Sequence, residues 1–178
     1  VLGELIDVVE KGRDMSTVKG LIFRENGSVQ NTGERPFIKD LNALPMPLQE
    51  LLPLEKYKAP YIGGPYTFVL HSRGCPNACH FCRQNVMWKS VCRLRNGSSI
   101  AAEFEYLSSI GVRKVMFHSD TFTQDRENVL DICYHLEKLN SGIQWICNGR
   151  VDLVDMEMLK AMKRAGCFMI NFGIESGV

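Results

Sequence analysis

Residues 67–82 read TFVLHSRGCPNACHFC, a short apolar run followed at once by a loop that carries three cysteines. The run has the length and the residue types of a buried strand. Cys75, Cys79 and Cys82 then follow in the spacing CxxxCxxC. Because three of the seven cysteines crowd into eight residues, and seven is an odd number, they indicate a metal site in a reducing compartment rather than a disulfide framework.

Helix and strand patterns alternate regularly from this point on. Four strand patterns (TFVLHS, VRKVMFH, IQWICN and CFMINFG) alternate with three helix patterns, the second and third preceded by the N-cap residues Asp125 and Asp155. Adjacent parallel strands need connections of a dozen or more residues, and such helices supply them. The sequence therefore predicts an α/β fold, a partial (β/α) barrel that ends after about four strands.

The first 65 residues have a different pattern. Residues 1–12 show helical spacing of apolar residues, an Asn26-Gly27 pair predicts a tight hairpin, and six prolines punctuate residues 36–65. We predict three regions: residues 1–35 as the end of an upstream domain, residues 36–65 as a proline-rich linker, and residues 66–178 as the amino-terminal part of the barrel. Since the chain starts at a valine and stops just after a strand pattern, we expect a fragment.

The overall composition excludes several classes of protein. The 178 residues are 45% hydrophobic and carry 21 basic against 20 acidic side chains, with no long run of either sign. This balance does not indicate a nucleic-acid partner or an anionic membrane surface. No apolar stretch approaches the roughly 20 residues of a membrane span. We expect a soluble, cytoplasmic protein.

Three thiolates on one loop have more than one possible use. They can bind three corners of an iron–sulfur cube and leave the fourth iron free for another ligand. They can also bind zinc, with His80 or a further cysteine as the fourth ligand, or remain unligated. The other four cysteines lie in or beside apolar segments and are predicted to pack as small hydrophobic side chains: Cys92, Cys133, Cys147 and Cys167.

The chain resembles the radical S-adenosylmethionine (radical SAM) superfamily. The resemblance rests on CxxxCxxC after the first strand of the repeating unit, and on RLR, HSDTFT, CNGRVD, EMLKAMKRAGC and FGIESG after it. These runs, together with RPFIKDLNALPMP upstream, are similar to the subgroup that often carries a cobalamin-binding domain before the barrel.

The resemblance implies an enzyme with a four-iron, four-sulfur (4Fe-4S) cluster on Cys75, Cys79 and Cys82. The free iron would chelate S-adenosylmethionine, and reductive cleavage would give a 5′-deoxyadenosyl radical that attacks a small-molecule substrate. It further implies an electron donor such as flavodoxin or ferredoxin and, in this subgroup, cobalamin in the upstream domain of a methyltransferase or cyclase. A methylthiotransferase of tRNA or ribosomal protein is the alternative. Its second cluster would need cysteines upstream of Cys75; residues 1–74 contain none, and a segment upstream of Val1 could supply them.

Further cofactor-binding residues follow from the resemblance. Asp120 and Thr121 stand where many members have a GGE motif that binds the methionyl amino group; Asp120 could instead cap its own loop. Arg150 would pair with the S-adenosylmethionine carboxylate, or alternatively with Asp152. Glu175 would contact the ribose or the methionyl group.

Two more positions are predicted from their residue type. Gly173 would permit close approach of the backbone to the cofactor, or would serve only an ordinary turn. Phe81, inside the cysteine loop, would keep solvent from the cluster, or would take part only in ordinary packing. With the later strands absent, we expect a fragment that binds the cluster but turns over poorly.

Overall fold

The computed structural model describes residues 1–177, which form two compact units. One unit is Val1–Lys39, and the other begins at Asp40. The helices and strands, in chain order, are α1 (Leu2–Glu10), β1 (Ile22–Glu25), β2 (Ser28–Asn31), β3 (Thr67–Leu70), β4 (Ser72–Arg73), α2 (Gln84–Trp88), β5 (Arg93–Leu94), α3 (Gly97–Ser109), β6 (Lys114–His118), α4 (Arg126–Leu139), β7 (Gln144–Gly149), α5 (Met156–Arg164) and β8 (Cys167–Phe172). The assignment of residues 1–35, 36–65 and 66–178 to three regions stays a prediction.

The first unit consists of α1 and the antiparallel hairpin of β1 and β2. The hairpin predicted from the Asn26-Gly27 pair is confirmed. Both turn residues have positive φ, 48° and 82°, which a two-residue I′ turn requires. On α1, the apolar side chains of Leu2, Ile6 and Val9 are exposed.

A parallel sheet of four strands organises the second unit. Its order is β3-β6-β7-β8, so each strand pairs with the next strand of the sheet along the chain. The helices α3, α4 and α5 make the crossovers between them. The predicted α/β fold, a partial barrel of about four strands, is confirmed. The carboxyl ends of all four strands lie at one edge, where parallel folds carry their functional loops.

Aromatic side chains fill the core behind this edge. The ring centroid of Phe117 on β6 lies 5.6 Å from Phe104, 4.7 Å from Phe122 and 5.1 Å from Trp145. Trp145 is fully buried, and its indole N–H donates to the carbonyl of Ala165 over 2.8 Å. Because Phe122 belongs to the loop after β6, its burial fixes that loop against the core.

Each crossover helix begins at an N-cap side chain that accepts the backbone N–H three residues later, over 2.8–2.9 Å. The caps predicted at Asp125 and Asp155 are confirmed, whereas α3 is capped by Asn96 and begins at Gly97, just before its predicted start. The longest helix, α4, has 14 residues. Within residues 1–177, no helix is long and apolar enough to cross a membrane.

The cysteine loop contains short regular elements that the sequence pattern did not predict. β4 and β5 pair antiparallel at its base, and the five-residue α2 lies between them. Elements of two to five residues are too short to show a hydrophobic period, so the sequence pattern indicates only a loop here. Their effect is to give the loop a defined entrance and exit.

Candidate active site

One open cavity of about 850 Å³ lies where the carboxyl ends of β6, β7 and β8 meet the cysteine loop. Polar loops converge here because the three strands are parallel and adjacent. Nine of the residues that line the cavity are the predicted cluster and cofactor ligands: Cys75, Cys79, Phe81, Cys82, Asp120, Thr121, Arg150, Gly173 and Glu175. Their roles as ligands stay predictions, but the fold gathers them in one place.

The loop enters the site through Gly74, which has φ +91°. A Cβ at this position would lie 2.0 Å from the carbonyl oxygen of Val91, on the returning limb of the loop. The Gly74 N–H donates to Oδ2 of Asp120 over 2.9 Å, so the carboxylate predicted to bind cofactor also holds the loop entrance. Only a glycine satisfies both the positive φ and the close approach of Val91.

Cys75 has the most enclosed thiol of the three. The residue is 8% exposed, and the side-chain amide of Asn77 donates to its Sγ over 3.1 Å. The same amide donates to Oε1 of Gln124 over 2.8 Å, and the hydroxyl of Thr121 lies 3.7 Å from Sγ. N–H groups directed at a thiolate sulfur stabilise its negative charge and, in a cluster, adjust the reduction potential.

Cys79 and Cys82 are partly exposed on the same loop. Nη1 of Arg150 lies 3.8 Å from Sγ of Cys79. The guanidinium also forms a two-point ion pair with Asp152, over 3.0 and 2.8 Å, which is the alternative that the sequence left open. This hydrogen bonding lowers the pKa of Asp152 and raises that of Arg150, so the pair stays ionised and holds the guanidinium beside the cavity.

The three thiols line one cavity, and three cysteines of one loop are a donor set that suits a 4Fe-4S cluster. Among residues 1–177, no group of three or more His, Cys, Asp or Glu side chains converges closely enough to hold one metal ion. In a 4Fe-4S cluster each thiolate binds a different iron, so the thiolates must border a space rather than meet. Cys75, Cys79 and Cys82 border one cavity in this way, whereas His80 is exposed on the loop.

Two buried polar atoms at the cavity also fit a bound group. The hydroxyl of Ser119 and Oε1 of Gln84 are buried, and neither has a hydrogen-bond partner among residues 1–177. Both residues line the cavity. Since buried polar atoms are nearly always hydrogen-bonded in native proteins, these two are suited to contacting a polar ligand.

Phe81, Gly173 and Glu175 lie at the open side of the cavity. Phe81 is 71% exposed, and its expected role in keeping solvent from the cluster stays a prediction. Glu175 has φ +61°, and its Oε1 lies 2.7 Å from the point where a Cβ of Gly173 would be. A side chain at Gly173 would therefore displace the Glu175 carboxylate.

Sequence reasoning missed Asn77 and Gln124 as contacts of Cys75. Asn77 stands inside CxxxCxxC, where it looks like an ordinary loop residue, and Gln124 is 49 residues from Cys75. No local pattern indicates either contact. The position of Gln124 just after the HSDTF stretch at a strand end was the one available signal.

The remaining cysteines stay outside the cavity. Cys133 and Cys147 are buried in the core, and burial raises the pKa of both thiols, that of Cys133 to about 12. Burial likewise raises the pKa of Cys92 to about 11. These thiols are therefore uncharged near neutral pH and behave as packing residues.

The comparison with known families agrees with this geometry. A family model described as the Radical SAM superfamily matches residues 69–178, more than half of the chain. The chain belongs to the Radical SAM superfamily. The matched stretch begins in β3 and includes all nine predicted site residues, so the recognition made from CxxxCxxC and its accompanying motifs is confirmed.

The relatives of this radical SAM chain include methyltransferases and a cyclase. An uncharacterized methyltransferase of Pyrococcus horikoshii is 37% identical over 177 residues, covering 97% of this chain and 38% of the relative. The anaerobic magnesium-protoporphyrin IX monomethyl ester cyclase of Synechocystis sp. is 29% identical over 179 residues, covering 98% of this chain and 35% of the relative. The chain thus spans little more than a third of these curated relatives.

A solved structure shares the radical SAM fold. It is the radical S-adenosylmethionine methyltransferase TsrM from Kitasatospora setae, with cobalamin and a 4Fe-4S cluster bound. The TM-score is 0.73 at 15% identity, and the match covers 97% of this chain and 36% of that chain. At this identity the likeness concerns the fold alone.

Proposed function

We propose that this chain holds a 4Fe-4S cluster on Cys75, Cys79 and Cys82 and binds S-adenosylmethionine in the adjoining cavity. The observation that carries the proposal is the single cavity bordered by three thiols of one loop and by polar side chains from the ends of three successive strands. When bound, the cluster supplies the electron that cleaves S-adenosylmethionine into methionine and a 5′-deoxyadenosyl radical.

The chain's own residues bind and orient the cofactor. Arg150, held in place by Asp152, presents a guanidinium that suits the two oxygens of the methionyl carboxylate. Asp120 and Glu175 provide carboxylates for the ammonium group and the ribose hydroxyls. Thr121 lies beside Cys75 and places a hydroxyl near the proposed cluster.

The names of the relatives support a reaction class. Because they are methyltransferases and a cyclase, we propose one of these reactions on a small-molecule substrate, with cobalamin in a domain upstream of residue 36 and with residues 36–65 as linker. A flavodoxin or ferredoxin would deliver the electron. A reducing cytoplasm suits a site whose thiols must stay unoxidised, two of them, Cys79 and Cys82, being partly exposed.

Anaerobic reconstitution with iron and sulfide tests the proposal. The wild-type chain should turn brown, bind about four iron and four sulfide per chain, and change its electron paramagnetic resonance (EPR) spectrum when S-adenosylmethionine is added. Cys75→Ala, Cys79→Ala and Cys82→Ala should each lose most of the iron. Cys92→Ala is the matched control, because Cys92 lies in the same loop but outside the cavity, and it should load like wild type.

Three results would contradict the proposal. The first is unchanged iron and sulfide in the three alanine variants. The second is a colourless chain with one zinc, which would indicate a metal-binding module. The third is equal iron loss in Cys92→Ala, which would show that any cysteine change in this loop prevents loading.

A further inference from the structure

The two ends of the cysteine loop meet at Arg95, which follows β5 and contacts the backbone at the end of β3. The backbone N–H of Arg95 donates to the carbonyl of His71 over 2.9 Å, and Nη1 donates to the carbonyl of Leu70 over 3.0 Å. The short pairing of β4 with β5 continues from this closure into the loop. Arg95 therefore joins the end of β3 to the start of α3 and closes the 23 residues 72–94 into a ring.

All three nitrogens of the Arg95 guanidinium donate hydrogen bonds at the base of the loop. Its Nη1 also pairs with the carboxylate of Glu103, and its Nε and Nη2 donate to the hydroxyl of Ser99 over 3.2 and 2.8 Å. The side chains of Arg95 and Glu103 are only 11% and 1% exposed. A buried guanidinium needs such a set of acceptors, and the fork geometry lets one side chain reach several of them together.

A second helix contributes to the same closure. The side-chain amide of Asn128 on α4 donates to the carbonyl of Arg95 over 2.8 Å. Its Oδ1 accepts from Nε2 of His71, also over 2.8 Å. His71, Asn128 and Arg95 thus form a closed set of hydrogen bonds that connects β3, α4 and the exit of the loop.

We propose that Arg95 is a positioning residue for the cluster: it closes the base of the cysteine loop and so fixes the spacing at which Cys75, Cys79 and Cys82 hold it. The inference rests on the proposed cluster, and Arg95 acts through the backbone rather than by touching a thiol. Opening the base would let the loop ends separate, and the three thiolates would then have to be gathered at an entropic cost.

The test compares Arg95→Lys with Leu136→Ala. The lysine keeps the charge, but one ammonium cannot reach the carbonyl of Leu70, Ser99 and Glu103 together. Leu136 is a matched control for lost stability: it is buried in the last turn of α4, which runs toward the amino ends of the strands and away from the loop. Both variants should unfold at lower temperature than wild type.

Amide hydrogen exchange of the cluster-free chain measures the closure directly. Arg95→Lys should speed exchange across residues 72–94 by about tenfold, the factor for roughly 1.4 kcal/mol of local opening, while β7 and α5 exchange as in wild type. Leu136→Ala should leave residues 72–94 unchanged. After reconstitution, Arg95→Lys should lose iron to a chelator faster and show an altered EPR spectrum, whereas Leu136→Ala should do neither.

The outcomes separate this inference from the proposed function. If wild type loads no cluster, the proposed function fails, yet the exchange data still decide whether Arg95 closes the loop. If wild type loads and Arg95→Lys matches it in exchange and iron release, the inference alone is wrong. Equal loop opening in Leu136→Ala would also overturn it. Should Arg95→Lys not fold, Ser99→Ala removes one acceptor without stranding Glu103, and a smaller effect of the same sign is expected.

Discussion

Gly74 is the position in the cysteine loop with the least tolerance for a side chain. Its φ of +91° and the carbonyl of Val91 at 2.0 Å from a built Cβ combine backbone strain with a collision against backbone. Gly74→Ala should therefore lower the free energy of unfolding by several times the roughly 1 kcal/mol of left-handed strain alone. Urea unfolding of the cluster-free chain measures this change.

Gly111→Ala is the matched control for Gly74→Ala. Gly111 also has a positive φ, +86°, but no atom lies within 4 Å of a built Cβ. This variant should lower the free energy of unfolding by about 1 kcal/mol, because it introduces the left-handed backbone strain but no steric collision. Equal losses in the two variants would mean that Val91 does not constrain the loop entrance.

His71 makes the stability of the fold depend on pH. Burial lowers the pKa of its imidazole from 6.5 to about 4, with the hydrogen bond to Asn128 opposing the shift. Between these two values the unfolded chain binds more protons than the folded chain, so the free energy of unfolding falls as the pH falls. This pKa shift corresponds to a decrease of roughly 3 kcal/mol in the free energy of unfolding between pH 6.5 and pH 4.

His71→Gln isolates this contribution, because glutamine can donate to Asn128 but does not titrate. Urea unfolding at several pH values from 7 to 4 should show that the free energy of unfolding falls less steeply with decreasing pH in the variant than in wild type. The carboxylates are the same in both proteins, so their contribution to the pH dependence cancels when the two free energies of unfolding are subtracted. Parallel curves would show that His71 does not titrate as its burial predicts.

Asp155 has two roles at the start of α5. Its Oδ1 accepts from the N–H of Met158 over 2.8 Å as the N-cap, and its Oδ2 pairs with Arg126 over 2.7 Å. The hydrogen bond from Arg126 lowers the pKa of this carboxyl. The pair is exposed, whereas the cap satisfies a backbone donor, so the cap should contribute more to stability.

Asp155→Asn and Asp155→Ala separate the two roles. Asparagine keeps the cap and removes the charge, so its thermal transition should stay close to that of wild type. Alanine removes both and should cost about 1 kcal/mol. If Asp155→Asn lowered the stability as much as Asp155→Ala, the ion pair with Arg126 rather than the N-cap would be the source of the stabilisation.

The long periodic helices and strands could be predicted from the sequence. That the candidate site residues lie close together could be predicted as well. The crossover helices and the four sheet strands follow from periodicity and caps. Cys75, Arg150 and Glu175 could be placed together because each follows a predicted parallel strand. The contacts that organise the loop could not be predicted, since Arg95 with Glu103 and Asn77 with Gln124 leave no periodic trace in the sequence.

The second unit contains the main hydrophobic core. That core is built from residues between Val69 and Cys167, whereas the first unit buries only Val8 and Val18 among the hydrophobic residues that the structure describes. A chain that begins at Asp40 should therefore keep a cooperative thermal transition. Residues 1–39 alone should show none, because so short a segment rarely builds a sufficient core.

Circular dichroism during heating checks both expectations. Phe117→Ala in the full chain is the comparison variant, because it removes a buried ring from the second unit and should cost about 3–5 kcal/mol. Loss of the transition on removing residues 1–39 would show that the first unit is needed for the core to form.

The chain has two tryptophans, and they lie in very different places. Trp88 ends the short helix of the cysteine loop, whereas Trp145 is sealed in the aromatic core. Iron–sulfur chromophores absorb broadly where indole emits, and resonance energy transfer falls steeply with distance. Cβ of Trp88 lies 3.0 Å from a Cβ built on Gly74, the neighbour of Cys75, and the Trp145 ring lies 5.3 Å from that of Phe122, two residues after Asp120. The fluorescence of both tryptophans should therefore decrease as the cluster assembles, so that emission reports how much of the protein holds a cluster.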